Sequence, residues 1–236
     1  MISYLFNEIF YRPLLNGLIF LYNIVPGHDM GISIIILTIL LRLILWPLTN
    51  KGIKNQKVLT KIQPQIEEIK KKFKNNKEVQ ARALMGLYSE NKISPLAGFL
   101  PLVIQIPIII ALWQVFLNSL NLDLNSLYSF IPAPTQVQSI FLGLVDLSHK
   151  SVVLAILAGV LQYFQTKMIM PPTKSAGASD FSQLMSKQML YFGPILSIII
   201  FGSLPAALPL YWIVVTLLTL LQQYLNQDDR REFNKN

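Results

Sequence analysis

The sequence predicts an all-α integral membrane protein, with five transmembrane helices around a hydrophilic groove, an N-terminal interfacial helix and a cytoplasmic antiparallel helical hairpin. Three observations lead there. Of 236 residues, 53% are hydrophobic and only 14% charged, where a soluble chain carries about a quarter charged. Five apolar runs are long enough, or nearly so, to cross the ~30 Å hydrocarbon core of a bilayer. Seventeen of the twenty Lys and Arg fall in three stretches that five crossings place on one side.

Residues 1–28 read as an extracytoplasmic interfacial helix. A signal peptide needs a basic start and an unbroken apolar run, and Glu8, Arg12 and Pro13 interrupt this one. Tyr4, Phe6, Phe10, Tyr11, Phe20 and Tyr22 recur among the aliphatics, which suits a helix lying in the interface. A short sixth crossing is the alternative. Pro26-Gly27 ends the element.

Span 1 covers 29–50 and contains GISIIILTILLRLILWPLT, with one charge, Arg42. A cation at that depth costs about 2.5–3.5 kcal/mol on insertion scales. None of the long apolar stretches holds an Asp or Glu to offset it. Arg42 therefore requires a wet cavity, and an unpaired cation in such a cavity is available to an acidic partner.

Residues 51–92 carry eleven Lys and Arg against Glu67, Glu68, Glu78 and Glu90. Ile53, Val58, Ile62, Ile66, Ile69 and Phe73 form a helical stripe, and Val79, Ala83, Leu84 and Leu87 form a second. Lys74-Asn75-Asn76-Lys77 between them reads as a turn, so the two helices make a hairpin. Pro64 predicts a kink or break in the first arm.

Span 2 (93–117) contains Pro101, Gln105 and Pro107; prolines are tolerated in membrane helices because neighbours satisfy the freed carbonyls. Residues 118–150 form a non-periodic extracytoplasmic loop with Pro132 and Pro134. Span 3 (151–170) stops at Pro171-Pro172, and 171–186 is a polar cytoplasmic loop. Spans 4 (187–204) and 5 (206–226) are divided only by Pro205 and its neighbours, forming a tight hairpin ahead of the tail at 227–236. The positive-inside rule puts residues 51–92, the 167–187 region and the C-terminus in the cytoplasm and the N-terminus outside, with only Arg12 and Lys150 as basic residues on the outer side.

The chain has no Cys and only two His, His28 and His149, which read as loop residues far apart in sequence. Thiolate chemistry is excluded, a His-based metal or catalytic site is not expected, and no phosphate-binding G-x-x-x-x-G-K-[ST] run occurs. No enzyme activity and no cofactor are expected. Thr38 and Arg42, four apart, share a helix face. In span 5, Trp212, Thr216, Thr219 and Gln223 make a semi-polar stripe, and Gln105 and Gln162 each put an amide inside a span, with Gln165 close by. Together these groups can line one hydrated groove. For each threonine alone, a helix-to-helix hydrogen bond is the commoner use; an unpaired guanidinium is not needed for helix packing.

Four stretches carry a family resemblance: GISIIILTILLRLILWPLTNKG (31–52), KIQPQIEEIKKKF (61–73), ALMGLYSENKISPLAGFLPLVIQIPIIIALW (83–113) and LPLYWIVVTLLTLLQQYL (208–225). In that order they resemble the bacterial YidC-type membrane protein insertases, relatives of the mitochondrial oxidase-assembly and chloroplast Albino-type insertases. The resemblance implies a groove open to cytoplasm and lipid and closed outside, with Arg42 as its cation and Thr38, Gln105, Gln162 and Trp212 as lining; Thr216 joins them from the span-5 stripe. It implies residence in the bacterial plasma (inner) membrane, with nascent membrane proteins and the lipid bilayer as partners. Sec translocon and ribosome are further candidates, and no specific nucleic acid is expected. Two departures stand out. Residues 1–28 read as neither the large extracytoplasmic domain of some members nor the lipoprotein signal of others, and the stretch DDRREFNKN is short and mixed in charge, unlike the long basic tails that dock ribosomes in some relatives. Rival readings are a small transporter or channel, which would put ionisable residues on several spans, an intramembrane hydrolase, which needs a nucleophile and base, and a structural assembly subunit.

Overall fold

A computed structural model describes residues 2–94, 100–118, 126–169 and 180–233. The start of span 2, the first part of the 118–150 loop, most of the 171–186 loop and the last tail residues lie outside the described residues. The chain opens with α1 (Ile2–Phe6), a π-helical turn (Asn7–Tyr11) and α2 (Arg12–Ile24). Then come α3 (Met30–Lys72), α4 (Lys77–Glu90), α5 (Leu100–Asn118), a two-stranded pair β1 (Ile140–Phe141) and β2 (Val145–Asp146), α6 (Val152–Ile169), α7 (Asp180–Ser203) and α8 (Ala207–Phe233).

Span 1 and the first arm of the basic segment are one helix. α3 starts where the Asp29 carboxylate accepts the Ile32 N–H at 3.0 Å, a side-chain cap on the orphan donors of the first turn. It then runs unbroken through Pro47 and Pro64 to Lys72. At 1.5 Å per residue its 43 residues extend about 64 Å, more than twice the hydrocarbon thickness. The far half must therefore project beyond any bilayer that the apolar half crosses. Asn76 caps α4 by accepting from Val79 N at 3.1 Å. α4 packs back on α3 through its own small core of Ile62, Ile66, Leu87 and Ile93.

Among the described residues three helices (α3, α6 and α8) are long and apolar enough to cross a membrane, and α5 and α7 contain shorter apolar segments, Gln105–Phe116 and Leu190–Ser203. α7 begins at Asp180, inside the stretch read from sequence as loop, and α8 continues past residue 226. The bundle is apolar outside as well as inside. Ile44, Val103, Val153 and Ile199 are 65–76% exposed, and a surface built that way calls for lipid rather than water.

The main core joins α2, α3, α5, α6 and α8, with Leu15, Leu18, Ile19, Ile34, Leu112 and Val115 almost wholly buried. The N-terminal helix does more than present aromatics to an interface: one face of α2 is packed into the bundle. At the same end the 126–150 segment is stitched down. Asn16 Nδ2 donates to Ser126 O (2.9 Å) and Arg12 O (2.7 Å), and its Oδ1 accepts from Tyr128 N (2.7 Å). Gln138 N donates to Tyr22 Oη at 2.8 Å. The α7–α8 turn pairs with the same segment through Ala206 N to His149 O (2.8 Å) and Ala207 N to Leu147 O (3.1 Å).

The strand pair, too short to leave a periodic trace in sequence, is joined by the three residues 142–144: Leu142 and Gly143 take φ of +50° and +71°, and Leu144 N–H donates to Phe141 O at 2.9 Å to close the turn. Leu142 tolerates its left-handed backbone while its N–H is held by the Asp29 carboxylate at 2.6 Å. Phe141 lies against Gly31, where any Cβ would collide with its ring. Nearby, hydrogen bonds from Ser148 and Ser139 hold the Asp146 carboxyl well below the usual carboxylate range.

Asn16 is 2% exposed, so its bonds are made without competition from solvent. Asn16→Leu leaves the Tyr128 N–H without this acceptor and is expected to cost about 1–3 kcal/mol, read as a lower melting temperature in detergent. An unchanged melting temperature would mean that other contacts hold this segment.

Candidate functional site

A cavity of about 200 Å³ lies between α3, α5, α6 and α8, a volume that admits several waters where the walls are polar. On α3 the lining extends from Thr38 to Gln56, eighteen residues or roughly 27 Å of helix. The cavity is a slot running along the bundle.

Arg42 stands in this slot, half-buried. Its Nη2 donates to Thr219 Oγ1 at 2.9 Å and reaches Val215 O at 3.5 Å. Thr219 in turn donates its hydroxyl proton to Val215 O at 2.8 Å, which turns an oxygen lone pair toward the guanidinium. Among the described residues no carboxylate is within ion-pair distance of Arg42. Both bonds come from one nitrogen of a group with five N–H donors, so the guanidinium is oriented by α8 but not neutralised.

Five of the six residues picked out in the sequence line this one cavity: Thr38, Arg42, Gln105, Trp212 and Thr216. Thr38 donates to Ile34 O (2.6 Å), bonding back within its own helix. Gln105 Nε2 donates to Tyr211 Oη at 2.6 Å, joining α5 to α8. Gln162 is not in the lining. Its Oε1 accepts from Ser197 Oγ (2.6 Å) and Trp212 Nε1 (3.1 Å), so it ties α6 to α7 and α8 and holds the indole in place. The α6 amide in the lining is Gln165. Positions 162 and 165 are about 60° apart around a helix, too close for an apolar pattern to separate.

Other lining residues went unselected. Thr219 and Gln223 belong to the stripe already visible on span 5, whereas Tyr211 lies outside that stripe and is marked only by its contact with Gln105. Below Arg42, Gln222 Nε2 donates to Trp46 O (3.2 Å) and Thr49 Oγ1 (3.1 Å), and Asn226 Nδ2 to Asn50 Oδ1 (2.6 Å). These amides bind α3 to α8 along the polar side of their seam.

Fold and site together define a predominantly helical, multi-pass membrane protein with a partly polar cavity inside the bundle. The 60Kd inner membrane protein family matches residues 20–232, and the chain belongs to that family. A membrane protein insertase YidC from Fusobacterium nucleatum is 37% identical over 216 residues, covering 91% of this chain and 95% of that relative. Relatives of the same name from Geotalea daltonii and Citrifermentans bemidjiense are each 36% identical over 219 residues, or 92% of this chain. The chain spans only 37% and 36% of the length of those two. Family and apolar helices together make it a multi-pass protein of the bacterial inner membrane.

Proposed function

We propose that this protein is a membrane protein insertase, and that the slot around Arg42 receives part of a nascent membrane protein before its apolar segment enters lipid. The observation carrying this reading is a half-buried guanidinium, with no carboxylate partner among the described residues, in a cavity lined by both polar and apolar side chains. The names of the relatives point the same way.

Five spans, at 29–50, 93–117, 151–170, 187–204 and 206–226, give the bundle an outside N-terminus and a cytoplasmic C-terminus. The basic segment 51–92 is then a cytoplasmic hairpin near anionic headgroups, where attraction weakens with salt. Residues 1–28 and 118–150 lie on the outer side, 171–186 and 227–236 on the inner. The hydrogen bonds that stitch α2, residues 126–150 and the α7–α8 turn together support an outer end that is closed.

A client enters from the cytoplasm with a short, often acidic outer flank. Arg42 attracts the acid, Thr219 keeps the guanidinium pointed into the slot, and Thr38, Gln105, Trp212 and Thr216 supply a polar wall. Gln162 holds Trp212 from behind. The flank crosses only partly dehydrated. The apolar segment leaves sideways, where burial of each CH₂ gains about 0.8 kcal/mol, so no nucleotide or ion gradient is needed. The Sec translocon and the ribosome are candidate partners in supplying the client.

A photoreactive residue in place of Trp212 tests the reading. It is expected to crosslink to a stalled nascent membrane protein, while the same residue in place of lipid-facing Ile44 (73% exposed) does not. Equal labelling from both positions would overturn it in favour of a structural subunit that meets other proteins at random.

A further inference from the structure

Three side-chain atoms in the slot are buried with no hydrogen-bond partner among the described residues: Thr216 Oγ1 and both Nε2 and Oε1 of Gln223. The residues are 1% and 2% exposed. Their neighbours sharpen the point. The hydroxyls of Thr38 and Thr219 donate to carbonyls of their own helices, and that of Thr216 does not. Gln222, beside Gln223, is bonded to Trp46 and Thr49. A buried amide and hydroxyl with nothing to bond destabilise a fold, whereas apolar replacements of the same shape are neutral or better. Packing alone therefore gives no reason for polar atoms at these two places.

We infer that Thr216 and Gln223 form a subsite for the main chain of the client, reading peptide N–H and C=O groups irrespective of side-chain charge. An amide carries both a donor and an acceptor, which matches the two polar groups of a peptide bond. A hydroxyl can serve either. The residues are seven apart on α8, so they stand about 10.5 Å apart along the axis. Three residues of extended chain cover about 10 Å. An extended flank laid along α8 thus meets both positions with peptide groups three residues apart, and passes Thr219, which holds Arg42, between them. The subsite rests on the insertase reading and gives it a second component: Arg42 selects acidic flanks, while Thr216 and Gln223 hold any flank.

The test uses the full-length protein in vesicles and a synthetic single-span client with a neutral outer flank. Each flank peptide bond is replaced in turn by an ester, which removes the N–H and weakens the C=O without changing charge. With wild-type protein, insertion is expected to fall about fivefold at two positions three residues apart. Gln223→Leu should erase the sensitivity at one of them and Thr216→Val at the other. Both variants should melt no lower than wild type, which separates this loss from misfolding. A flat ester scan on wild type, or a scan that the variants leave unchanged, would overturn the subsite and assign these atoms to water alone. Wild-type vesicles that insert the client no faster than protein-free ones would remove the insertase reading and the subsite with it.

Discussion

Arg42→Ala is expected to lower insertion of a client with an acidic outer flank about tenfold in reconstituted vesicles, and to leave a matched client with a neutral flank within about twofold. Tenfold corresponds to about 1.4 kcal/mol, the lower end of the range for a hydrogen bond to a charged group. The low end is appropriate because the guanidinium is only half-buried and already bonded to Thr219. Arg42→Lys should recover part of the loss. It keeps the charge and can reach an oxygen, but lacks the planar fork that takes a carboxylate with two parallel bonds. Raising ionic strength should narrow the difference between the two flanks only modestly, since a site inside the bundle is screened less than a surface charge. Alanine leaves the Thr219 bond to Val215 O intact, so α8 keeps its local geometry. An equal loss for acidic and neutral flanks would rule out charge attraction as the role of this residue.

Why Arg42 was legible in the sequence, and Gln165 was not, follows from what each violates. A guanidinium in an aliphatic run breaks a rule worth several kcal/mol, and the absence of any Asp or Glu in the apolar runs leaves few ways to satisfy it. The span-5 stripe from Trp212 to Gln223 was visible for the same reason, polar groups recurring on one helical face. An amide on α6 breaks a weaker rule, because Gln162 is satisfied by Ser197 and Trp212 across helices. Which of two glutamines faces a cavity depends on helix rotation, and rotation is set by neighbours the sequence does not place. Tyr211 makes the same point: its hydroxyl meets Gln105, a contact between residues 106 apart. The continuous α3 was hidden differently. Pro47 and Pro64 are strong local break signals, yet the helix runs through both. The strand pair at 140–146 was invisible because two residues per strand carry no period.

Gly159 is a position where added side-chain bulk should do large structural damage, because part of what it meets is backbone. On α6, Ala155 and Gly159 are four apart, on one face of the helix, and both are buried. Small residues at that spacing let helix backbones approach closely in membranes, where dispersion and hydrogen bonding rather than the hydrophobic effect hold helices together. α7 uses the room: a Cβ at Gly159 would collide with the Ile198 side chain and come within 3.0 Å of Pro194 O. The first obstacle can rotate, but the second is backbone and cannot. Gly159→Val is therefore expected to push the helices apart and cost about 1–3 kcal/mol or more, read as a lower melting temperature. Gly193, opposite, lies near Gln162, so displacement of α7 also strains the Ser197–Gln162–Trp212 bonds that set the indole at the slot. Ile198→Ala in the same chain should restore part of the melting temperature, because it removes the side chain but not the carbonyl. Gly159→Ala should fall between wild type and valine. If Gly159→Val melts with wild type and Ile198→Ala changes nothing in its presence, α6 and α7 do not rely on this close approach, and the placement of Trp212 must be secured from α8 alone.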